Sequence, residues 1–401
     1  MSLAVPASEE ELAALLRAAY EAGEPLLVQG NGTKRAMLRP VQAARTLSTR
    51  GLSGIGLYAP QELVISAAAG TPFAEIEEKV AENGQQIIAE PPDLSLLLGS
   101  DAPQTLGGVV ATNLSGPRRV TAGAMRDHVL GLRAVNGVGE IFHSGGRVLK
   151  NVTGLDLCKL LTGSHGTLAV ISEVTLKVLP AAERWGTLLL PKLAAEQAVA
   201  ALAEGLGSPY GVSAAAWLPK EAAAHVPALA WLESSAALMR IENFADSVVY
   251  RLGKLRERLA AFGHAELLDD AASRAAWRAI RDALPLAARP EEAIWRVSVR
   301  PSAGPRVLRL ASAAGARGFL DWGGGLVWLA GPATAELHAA VTSAVRATGG
   351  HWVLIRAPDA LRVSVDVIPP EPPPLARLTS AVKSVFDPKG ILNPGRMFAG
   401  V

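Results

Sequence analysis

The sequence predicts an α+β protein of two domains, and three observations support this prediction. The chain has 401 residues, which exceeds the size at which a single hydrophobic core usually stops growing. Up to Pro180, strands alternate with helices and glycine-rich loops, whereas alanine-rich helices and short strands follow, as in an antiparallel sheet covered by helices. We therefore predict domains over 1–180 and 181–375, and a C-terminal segment, 376–401, that returns to the first domain.

The chain begins with signals for a helix followed by a strand. Ser8 and Glu11 form an S-x-x-E capping box before a run of periodic apolar residues, and Gly23 follows as a stop signal. These features predict a helix over 8–22, and the apolar residues 26–28 predict a short strand.

A second strand-to-helix unit follows. Residues 63–67 have the composition of a strand. Thr71 is placed to cap the next helix, with Pro72 at its first position and Gly84 at its end.

The rest of the first domain has the pattern of antiparallel strands. Asn136 and Gly137 lie between two apolar runs and predict a hairpin over 129–144. Residues 168–178 alternate between apolar and polar, which predicts a last strand that ends before Pro180.

Prolines mark the boundary after the second domain. Five of them lie within 368–374 and predict a stiff, extended connector. A short helix and a turn-rich terminal segment follow it.

Composition and charge exclude several classes of function. Lys and Arg number 39 against 37 for Asp and Glu, so the charge of +2 creates no strong field for nucleic acid or anionic lipid. No apolar run reaches the roughly 18 residues of a spanning helix, and the N-terminus lacks the pattern of a secretory signal. The single cysteine, Cys158, excludes a disulfide, a cysteine-based zinc site and an iron–sulfur cluster held by this chain alone. We therefore expect a cytoplasmic protein without a metal, in which any redox chemistry uses an organic cofactor.

The loop after the first strand has two glycines that permit positive φ and close approach to a ligand. It is not a dinucleotide fingerprint, because Arg35 and Ala36 stand where a third glycine would open a helix, and it is not a P-loop. A nest of backbone N–H groups for a pyrophosphate and an ordinary tight turn both remain open. The loop consists of Gly30, Asn31, Gly32, Thr33 and Lys34.

Two further loops of small residues lie in the same domain. One begins with TLGG at Thr105 and continues through ATNLSG, and the other is GSHGT, directly before the last predicted strand. Small residues there would let a large flat ring lie against the backbone. Three such loops in one domain favour a single extended ligand.

These motifs carry a resemblance to a known family. The segments PLLVQGNGTK, TLGGVVATNLSG, GGRVLKNVTG and GSHGTLAVISEVTLKVLP resemble the FAD-binding domain of the vanillyl-alcohol oxidase and para-cresol methylhydroxylase (PCMH) superfamily. Within it, AEPPD, SGPRRV and the terminal NPGRM are most similar to the FAD-binding subunits of glycolate oxidases. The similarity is strong over about residues 1–180 and extends to the second domain only by size and order.

The resemblance implies a two-part, PCMH-type FAD-binding domain, a second α+β cap domain, and FAD held without a covalent bond, since position 31 is Asn and no cysteine lies near the second loop. It implies that the first loop wraps the pyrophosphate, the second lines the cofactor channel, and the third faces the ribose or adenine. The implied FAD-binding residues are Gly30, Asn31, Gly32, Thr33, Lys34, Thr105, Gly107, Gly108, Ala111, Asn113, Ser115, Gly116, Gly163, Gly166, Thr167 and Val170.

The chain also departs from the family pattern. Leu155 stands where relatives usually have a tyrosine, and Ala122 stands where an aromatic residue or serine is common. Late in the second domain, His338 and His351 do not form the histidine and carboxylate arrangement that the resemblance associates with oxidation of 2-hydroxy acids. This weakens the interpretation of the chain as an independent dehydrogenase.

Several polar residues have both a functional and a structural interpretation. Arg356 is the candidate catalytic residue, a bidentate clamp for a substrate carboxylate, or else a surface ion pair. Arg118 and Arg119 either contact FAD phosphate or a partner, or are solvated. His165 either approaches the cofactor or serves an unusual backbone angle.

Lys150 and Asp156 either place a cation near the flavin or anchor a turn. All eight tryptophans lie from Trp185 onward and are expected to build the core of the second domain.

Taken with the resemblance, the sequence predicts an FAD-binding subunit of a 2-hydroxy-acid dehydrogenase complex that oxidises glycolate. The resemblance implies a homologous flavin subunit and an iron–sulfur subunit as partners, and a peripheral place at the inner face of the membrane through them. Two alternatives remain open: a self-sufficient dehydrogenase for a small hydroxy acid such as D-lactate, and a non-catalytic flavin-binding scaffold.

Overall fold

The structure, a computed structural model, describes residues 2–146 and 154–400. It divides into two compact units. The first contains residues up to Ser115, Ala124–Ala181 and residues from Pro370 onward, and the second contains Gly116–Gly123 and Ala182–Pro369. The second unit therefore includes a short segment, 116–123, that lies inside the range predicted for the first domain.

The strands have the following bounds in chain order. They are β1 (Ser2–Ala4), β2 (Leu26–Gln29), β3 (Arg45–Ser48), β4 (Ile55–Ala59), β5 (Val64–Ala68), β6 (Gln85–Gln86), β7 (Val129–Asn136), β8 (Ile141–Gly145), β9 (Ala169–Lys177), β10 (Leu179–Pro180), β11 (Arg184–Pro191), β12 (Val212–Leu218), β13 (Ala236–Asn243), β14 (Glu266–Leu268), β15 (Ala293–Ser298), β16 (Arg317–Asp321), β17 (Leu326–Gly331) and β18 (His351–Arg356).

The α-helices are numbered in the same way. They are α1 (Glu9–Ala22), α2 (Phe73–Ala81), α3 (Leu106–Thr112), α4 (Arg119–Ala122), α5 (Leu157–Leu161), α6 (Ala195–Leu206), α7 (Lys220–Ala223), α8 (Ala245–Arg258), α9 (Asp270–Arg281), α10 (Gly304–Ala313), α11 (Ala335–Arg346), α12 (Asp359–Ser364) and α13 (Pro373–Phe386).

The first unit is built on two main sheets. A parallel sheet has the order β1-β3-β2, and an antiparallel sheet has the order β4-β5-β9-β7-β8. Leu12 and Leu16 of α1 are buried in one core with Leu26 and Leu47, while Phe73 of α2 is buried in a second core with residues of the five-stranded sheet. These two layers position the loops that follow β2 and precede β9.

The first helix has the predicted ends. The hydroxyl oxygen of Ser8 accepts the amide of Glu11 at 3.2 Å, and Gly23 has a left-handed φ of 62°. A left-handed residue after the last turn is most favourable for glycine, because it has no Cβ. The predicted helix over 8–22 is confirmed.

The predicted start of the second helix is wrong. The helix α2 begins at Phe73, and Pro72 precedes it. The Thr71 hydroxyl donates to the carbonyl of Ala68 at 2.7 Å and accepts the amide of Gly54 at 2.9 Å. It is occupied by the preceding turn and therefore does not cap the helix.

The antiparallel strands of the first unit follow the sequence prediction. The strands β7 and β8 pair as a hairpin across the turn after Asn136, and β9 extends from Ala169 to Lys177. The hairpin and the last strand are confirmed. The helix α13, however, begins at Pro373, inside the predicted connector, because proline is tolerated in the first turn of a helix.

The second unit is an eight-stranded antiparallel sheet with helices. Its strand order is β14-β11-β13-β12-β16-β17-β15-β18. Trp277, Trp295, Trp328 and Trp352 are among its largest fully buried side chains, which confirms the prediction that tryptophans build this core, whereas Trp231 is 56 % exposed.

Candidate functional site

The first unit contains a cavity that is partly open to solvent, with an empty volume of about 740 Å³ when the solvent at its mouth is included. It is formed by β2 and the loop after it, by α3, by the loop before β9, and by the C-terminal segment. Its lining comprises Leu27, Val28, Gln29, Gly30, Asn31, Gly32, Thr33, Lys34, Arg35, Thr49, Thr105, Gly107, Gly108, Ala111, Thr112, His165, Gly166, Ala169, Val170, Ile171, Asn393 and Arg396.

Two glycines of the first loop are required by geometry. A Cβ on Gly30 would lie 2.1 Å from the Oγ1 of Thr105, so no larger residue fits there without movement. Gly32 has a φ of +78°, which favours glycine for a different reason. The loop therefore brings its backbone against the start of α3 at one residue and reverses direction at the other.

The second loop is also closely packed. A Cβ on Gly107 would lie 2.8 Å from the Cβ of Ala69. The Oγ1 of Thr105 accepts the amide of Gly108 at 3.3 Å and caps α3. This fixes the backbone of the predicted second loop at the wall of the cavity.

The third loop has two consecutive left-handed residues. His165 has a φ of +53° and Gly166 a φ of +69°. A left-handed histidine is uncommon and marks a constrained backbone. The amide of His165 donates to the carbonyl of Ala111 at 2.9 Å, which ties this loop to α3.

Two residues of the C-terminal segment, which the sequence analysis did not assign to the site, hold these loops together. The Asn393 side chain accepts the amide of Val28 at 2.8 Å and donates to the carbonyl of His165 at 2.9 Å. The Arg396 guanidinium donates to the carbonyl of Lys34 at 2.6 Å. The sequence contains one signal for these residues, the turn-rich NPGRM motif. The motif indicated a similar family, but it did not indicate which residues Asn393 and Arg396 contact.

Positive charge gathers at this cavity. Burial lowers the pKa of Lys34 to about 8, against an opposing effect of Asp93, and its Nζ donates to the Oε1 of Gln104 at 3.0 Å. Burial, followed by the charges of Arg396 and Lys34, lowers the pKa of His165 to about 3. Near neutral pH the cavity therefore has cationic groups beside a neutral imidazole, which suits a diphosphate.

The residues present fit a bound FAD. The Oε1 of Gln29, which lines the cavity, is buried and has no hydrogen-bond partner among the described residues. A buried acceptor without a donor is costly, and a ligand that carries N–H or O–H groups would satisfy it. The flavin, ribityl and adenine groups of FAD have such donors, and its diphosphate matches the charge of Lys34.

Eleven of the predicted FAD-binding residues line the cavity, namely Gly30, Asn31, Gly32, Thr33, Lys34, Thr105, Gly107, Gly108, Ala111, Gly166 and Val170. The other five, Asn113, Ser115, Gly116, Gly163 and Thr167, are not among its lining residues.

The hydrogen bonds of three of these five residues indicate what they do. The hydroxyl of Ser115 accepts the amide of Met125 at 3.0 Å, and the amide of Gly163 donates to the carbonyl of Val110 at 3.1 Å. The carbonyl of Gly116, in the second unit, accepts the indole N–H of Trp322 at 3.0 Å. Such bonds shape the loops rather than present groups to a ligand.

Arg356 lies in the second unit and is not among the residues that line this cavity. Its Nε donates to the carbonyl of Glu292 at 3.3 Å, and an Nη donates to the carbonyl of Arg289. Burial lowers its pKa, and only 8 % of the residue is exposed. The side chain supports the loop before β15, which favours a structural role over the predicted carboxylate clamp and also over a surface ion pair.

The other polar candidates have clear positions. Arg118 forms a buried ion pair with Glu242 at 2.6 Å. Burial would raise the pKa of Glu242, but Arg240 and Arg118 lower it to about 2. The Nδ1 of His338 accepts the indole N–H of Trp295 at 3.2 Å. Lys150 lies outside the described residues.

A family model described as an FAD binding domain matches residues 2–145. The glycolate oxidase subunit GlcE of Escherichia coli is 34 % identical over 376 residues, which cover 94 % of this chain and 93 % of that protein. The chain belongs to this family of FAD-linked oxidoreductases. Its cofactor is FAD, as predicted.

Other relatives match part of the chain. A D-lactate dehydrogenase of Archaeoglobus fulgidus is 32 % identical over 200 residues, which cover 50 % of this chain and 43 % of that enzyme.

Solved structures with low identity show the fold. A 4-ethylphenol oxidase from Gulosibacter chungangensis has a TM-score of 0.74 at 14 % identity and covers 99 % of this chain and 89 % of its own. A p-cresol methylhydroxylase has a TM-score of 0.71 at 12 % identity, with 98 % and 88 % covered. The predicted PCMH-type α+β fold is confirmed.

Within the residues that the structure describes, no helix is both long and apolar enough to cross a membrane. Nor do three or more His, Cys, Asp or Glu side chains come together there as a metal-binding group.

Proposed function

We propose that this chain is the FAD-binding subunit of a glycolate oxidase complex. The observation that carries the proposal is the match to E. coli GlcE, because it covers 94 % of this chain and 93 % of the relative rather than the FAD-binding domain alone. Relatives that share only that domain would match over the first unit without the second.

The proposed reaction removes two electrons and two protons from glycolate. The carbon that bears the hydroxyl loses a hydride, the hydroxyl loses a proton, and glyoxylate is the product. Bound FAD supplies the two-electron acceptor and can release electrons singly, which suits an iron–sulfur subunit as the next carrier. A homologous flavin subunit completes the proposed complex, which is cytoplasmic or peripheral at the membrane through its partners.

The residues of the first unit hold the cofactor without a covalent bond. The amides of the first loop and the ammonium of Lys34 bind the diphosphate, since backbone N–H groups and a fixed cation both stabilise phosphate oxygens. The Oε1 of Gln29 accepts a cofactor N–H or O–H. Asn393 and Arg396 position these groups because they connect the first and third loops.

A self-sufficient dehydrogenase for D-lactate is the second candidate. The 32 % identity to a D-lactate dehydrogenase favours it, although that match covers 50 % of the chain. A scaffold that binds flavin without reducing it is the third.

The test begins with an absorbance spectrum of the purified chain before and after acid precipitation. Flavin bands released into the supernatant are expected, and a folded chain supplied with FAD that contains no flavin would contradict the proposal. Glycolate and D-lactate are then added anaerobically, first to the chain alone and then to the complex reconstituted with its partner subunits.

Each result of the second step has a distinct meaning. Flavin that stays oxidised in the isolated chain and is bleached by glycolate in the complex supports the subunit proposal. Bleaching of the isolated chain by D-lactate supports the second candidate. Flavin of this chain that stays oxidised in the active complex supports the scaffold.

A further inference from the structure

The second unit contains an arginine with a buried N–H group that has no hydrogen-bond partner among the described residues. The Nε of Arg296, on β15, is buried and has no hydrogen-bond partner within the described residues. The neighbouring Trp295 bonds to His338 of α11, so it points to the face of the sheet that α11 covers. Because side chains alternate along a strand, Arg296 points to the opposite face.

A second arginine and two tryptophans accompany Arg296 on that face. The Cζ of Arg296 lies 4.7 Å from the ring centroid of Trp322 and 5.8 Å from that of Trp328. The Cζ of Arg119 lies 4.9 Å from the same Trp322 ring. Two guanidinium groups therefore share one indole, and we call Arg119, Arg296, Trp322 and Trp328 the arginine–tryptophan cluster.

The indole at the centre of the cluster is held in a constrained position. Trp322 has a φ of +54°, which is unusual for a bulky residue. Its Nε1 donates to the carbonyl of Gly116 at 3.0 Å, in the segment that also carries Arg119. This bond connects the tryptophan with the second arginine of the cluster.

The charges of the cluster are not balanced. Burial lowers the pKa of Arg296 to about 10, Arg119 lowers it further, and Asp321 opposes them. Neither guanidinium forms a salt bridge in the part of the chain that the structure describes. The two guanidinium groups and the carboxylate of Asp321 together have a net charge of +1, which one bound anion would balance.

We propose that Arg296 and Arg119 bind the carboxylate of a small 2-hydroxy acid. This inference rests on the proposed function for the identity of the acid. A guanidinium stacked on an aromatic ring keeps its N–H donors in its own plane, and these donors match the two oxygens of a carboxylate. The Arg296 guanidinium also lies against the rings of Trp322 and Trp328, so a short carbon skeleton bound beside it would contact apolar surface.

The test measures binding rather than turnover. The FAD-loaded full-length chain is titrated by calorimetry with oxalate, a redox-inert carboxylate, with glycolamide, which lacks the charge, and with inorganic phosphate. We expect oxalate to bind, and glycolamide and phosphate to bind at least about tenfold more weakly, which corresponds to about 1.4 kcal/mol.

Two variants and a matched control identify the residues. Arg296→Met and Arg119→Met should each weaken oxalate binding at least about tenfold. Arg346→Met is the control, because Arg346 also stacks on a tryptophan of this unit, Trp352, with its Cζ 5.0 Å from the ring centroid. It should leave the Kd for oxalate unchanged within about twofold.

The proposal is overturned if oxalate does not bind, if phosphate binds more tightly, or if Arg346→Met weakens binding as much as the cluster variants. Arg119 is exposed, so Arg119→Met carries the test if Arg296→Met does not fold.

The two proposals fail separately. Oxalate binding that depends on the cluster, in a complex whose flavin glycolate does not reduce, would remove only the proposed function. Reduction by glycolate with an unchanged Kd in both variants would remove only the carboxylate site.

Discussion

The cavity of the first unit and the arginine–tryptophan cluster of the second are formed by different kinds of groups. The cavity is formed by backbone and small side chains, where one extra carbon on Gly30 would lie 2.1 Å from Thr105. The cluster is formed by long side chains from two strands, a turn and the 116–123 segment, and its two guanidinium groups lie over one indole ring. The difference teaches that the loops of the cavity can be recognised from local sequence, whereas the cluster can be recognised only from the fold of the second unit.

The two units can also be observed separately. All eight tryptophans lie between Trp185 and Trp352, within the second unit, whereas the cavity that we propose for FAD lies in the first. Flavin release therefore reports on the first unit and tryptophan fluorescence on the second. In each variant, the signal of the unaltered unit therefore serves as a control for the signal of the altered unit.

The largest effect is expected from Lys383→Met. The Nζ of Lys383 pairs with Asp387 at 2.7 Å, with side chains 9 % and 0 % exposed, and donates to the carbonyl of Thr167 at 2.7 Å. Its loss leaves a buried carboxylate without its cation, and we expect the free energy of unfolding to fall by about 3–5 kcal/mol. In a urea titration, the midpoint of flavin release should fall while the tryptophan transition stays in place.

The control for this variant is Lys254→Met. Lys254 also forms a helical ion pair, with Glu257 at 2.8 Å, but both side chains are exposed. It should change stability by less than about 0.5 kcal/mol. Equal effects of the two substitutions would contradict the importance that we give to the C-terminal segment.

The next effect in size is expected from Gly30→Ala. The new methyl group would meet Thr105, and overpacking of this kind costs about 1–3 kcal/mol. We expect FAD to bind about 10- to 100-fold more weakly in an equilibrium titration of flavin fluorescence. Adding Thr105→Ala should restore part of the affinity, because it removes the Oγ1 that the methyl group meets.

Gly253→Ala provides the matched control for that change. Gly253 lies in α8, and a Cβ there would meet nothing within 4 Å. Alanine should leave FAD affinity unchanged and stabilise the helix by about 0.5–1 kcal/mol. An FAD affinity for Gly30→Ala equal to that of the wild type would show that the loop adjusts freely to the added methyl group. FAD binding would then not depend on the close approach of Gly30 to Thr105.

The same contrast explains what the sequence could predict. Ser8 and Gly23 defined a helix and Asn136 a hairpin because each signal acts within a few residues. The glycine loops were found for the same reason. The contacts of Asn393 with Val28 and His165 cross 365 and 228 residues, so their role required the fold.

Long-range context also decides the role of a residue whose type alone leaves that role open. Thr71 has the right residue type for a cap, but the preceding turn uses its hydroxyl. Arg356 and Arg296 are both arginines in strands of the second unit, and the sequence favoured Arg356. Only the strand register and the loop at Glu292 show that the Arg356 guanidinium bonds to backbone carbonyls while the Nε of Arg296 has no partner among the described residues.

A smaller effect is expected from His165→Asn as a function of pH. Asparagine tolerates the left-handed backbone of this position and does not titrate. The pKa of His165 is about 3 in the folded chain, against an ordinary value of 6.5. Because the unfolded chain takes up this proton first, the wild type loses stability as pH falls from about 6.5 toward 3.

The measurement is the urea midpoint of flavin release between pH 6.5 and 4. The wild type should lose stability more steeply than the variant, by up to about 1.4 kcal/mol per pH unit. Parallel curves for the two proteins would show that the imidazole is not held neutral in the fold.

The smallest effect on ligand binding is expected from Arg356→Met, and it sharpens the comparison most directly. Its guanidinium donates to the carbonyls of Glu292 and Arg289, so the substitution should lower the midpoint of the tryptophan transition. The Kd for oxalate should change by less than about twofold, or about 0.4 kcal/mol, at a temperature where the variant stays folded. A loss of oxalate binding as large as that of Arg296→Met, without loss of stability, would indicate that Arg356 binds the carboxylate. An unchanged Kd with lowered stability would instead indicate that Arg356 is a structural residue, whereas Arg296, in the same sheet, binds the ligand.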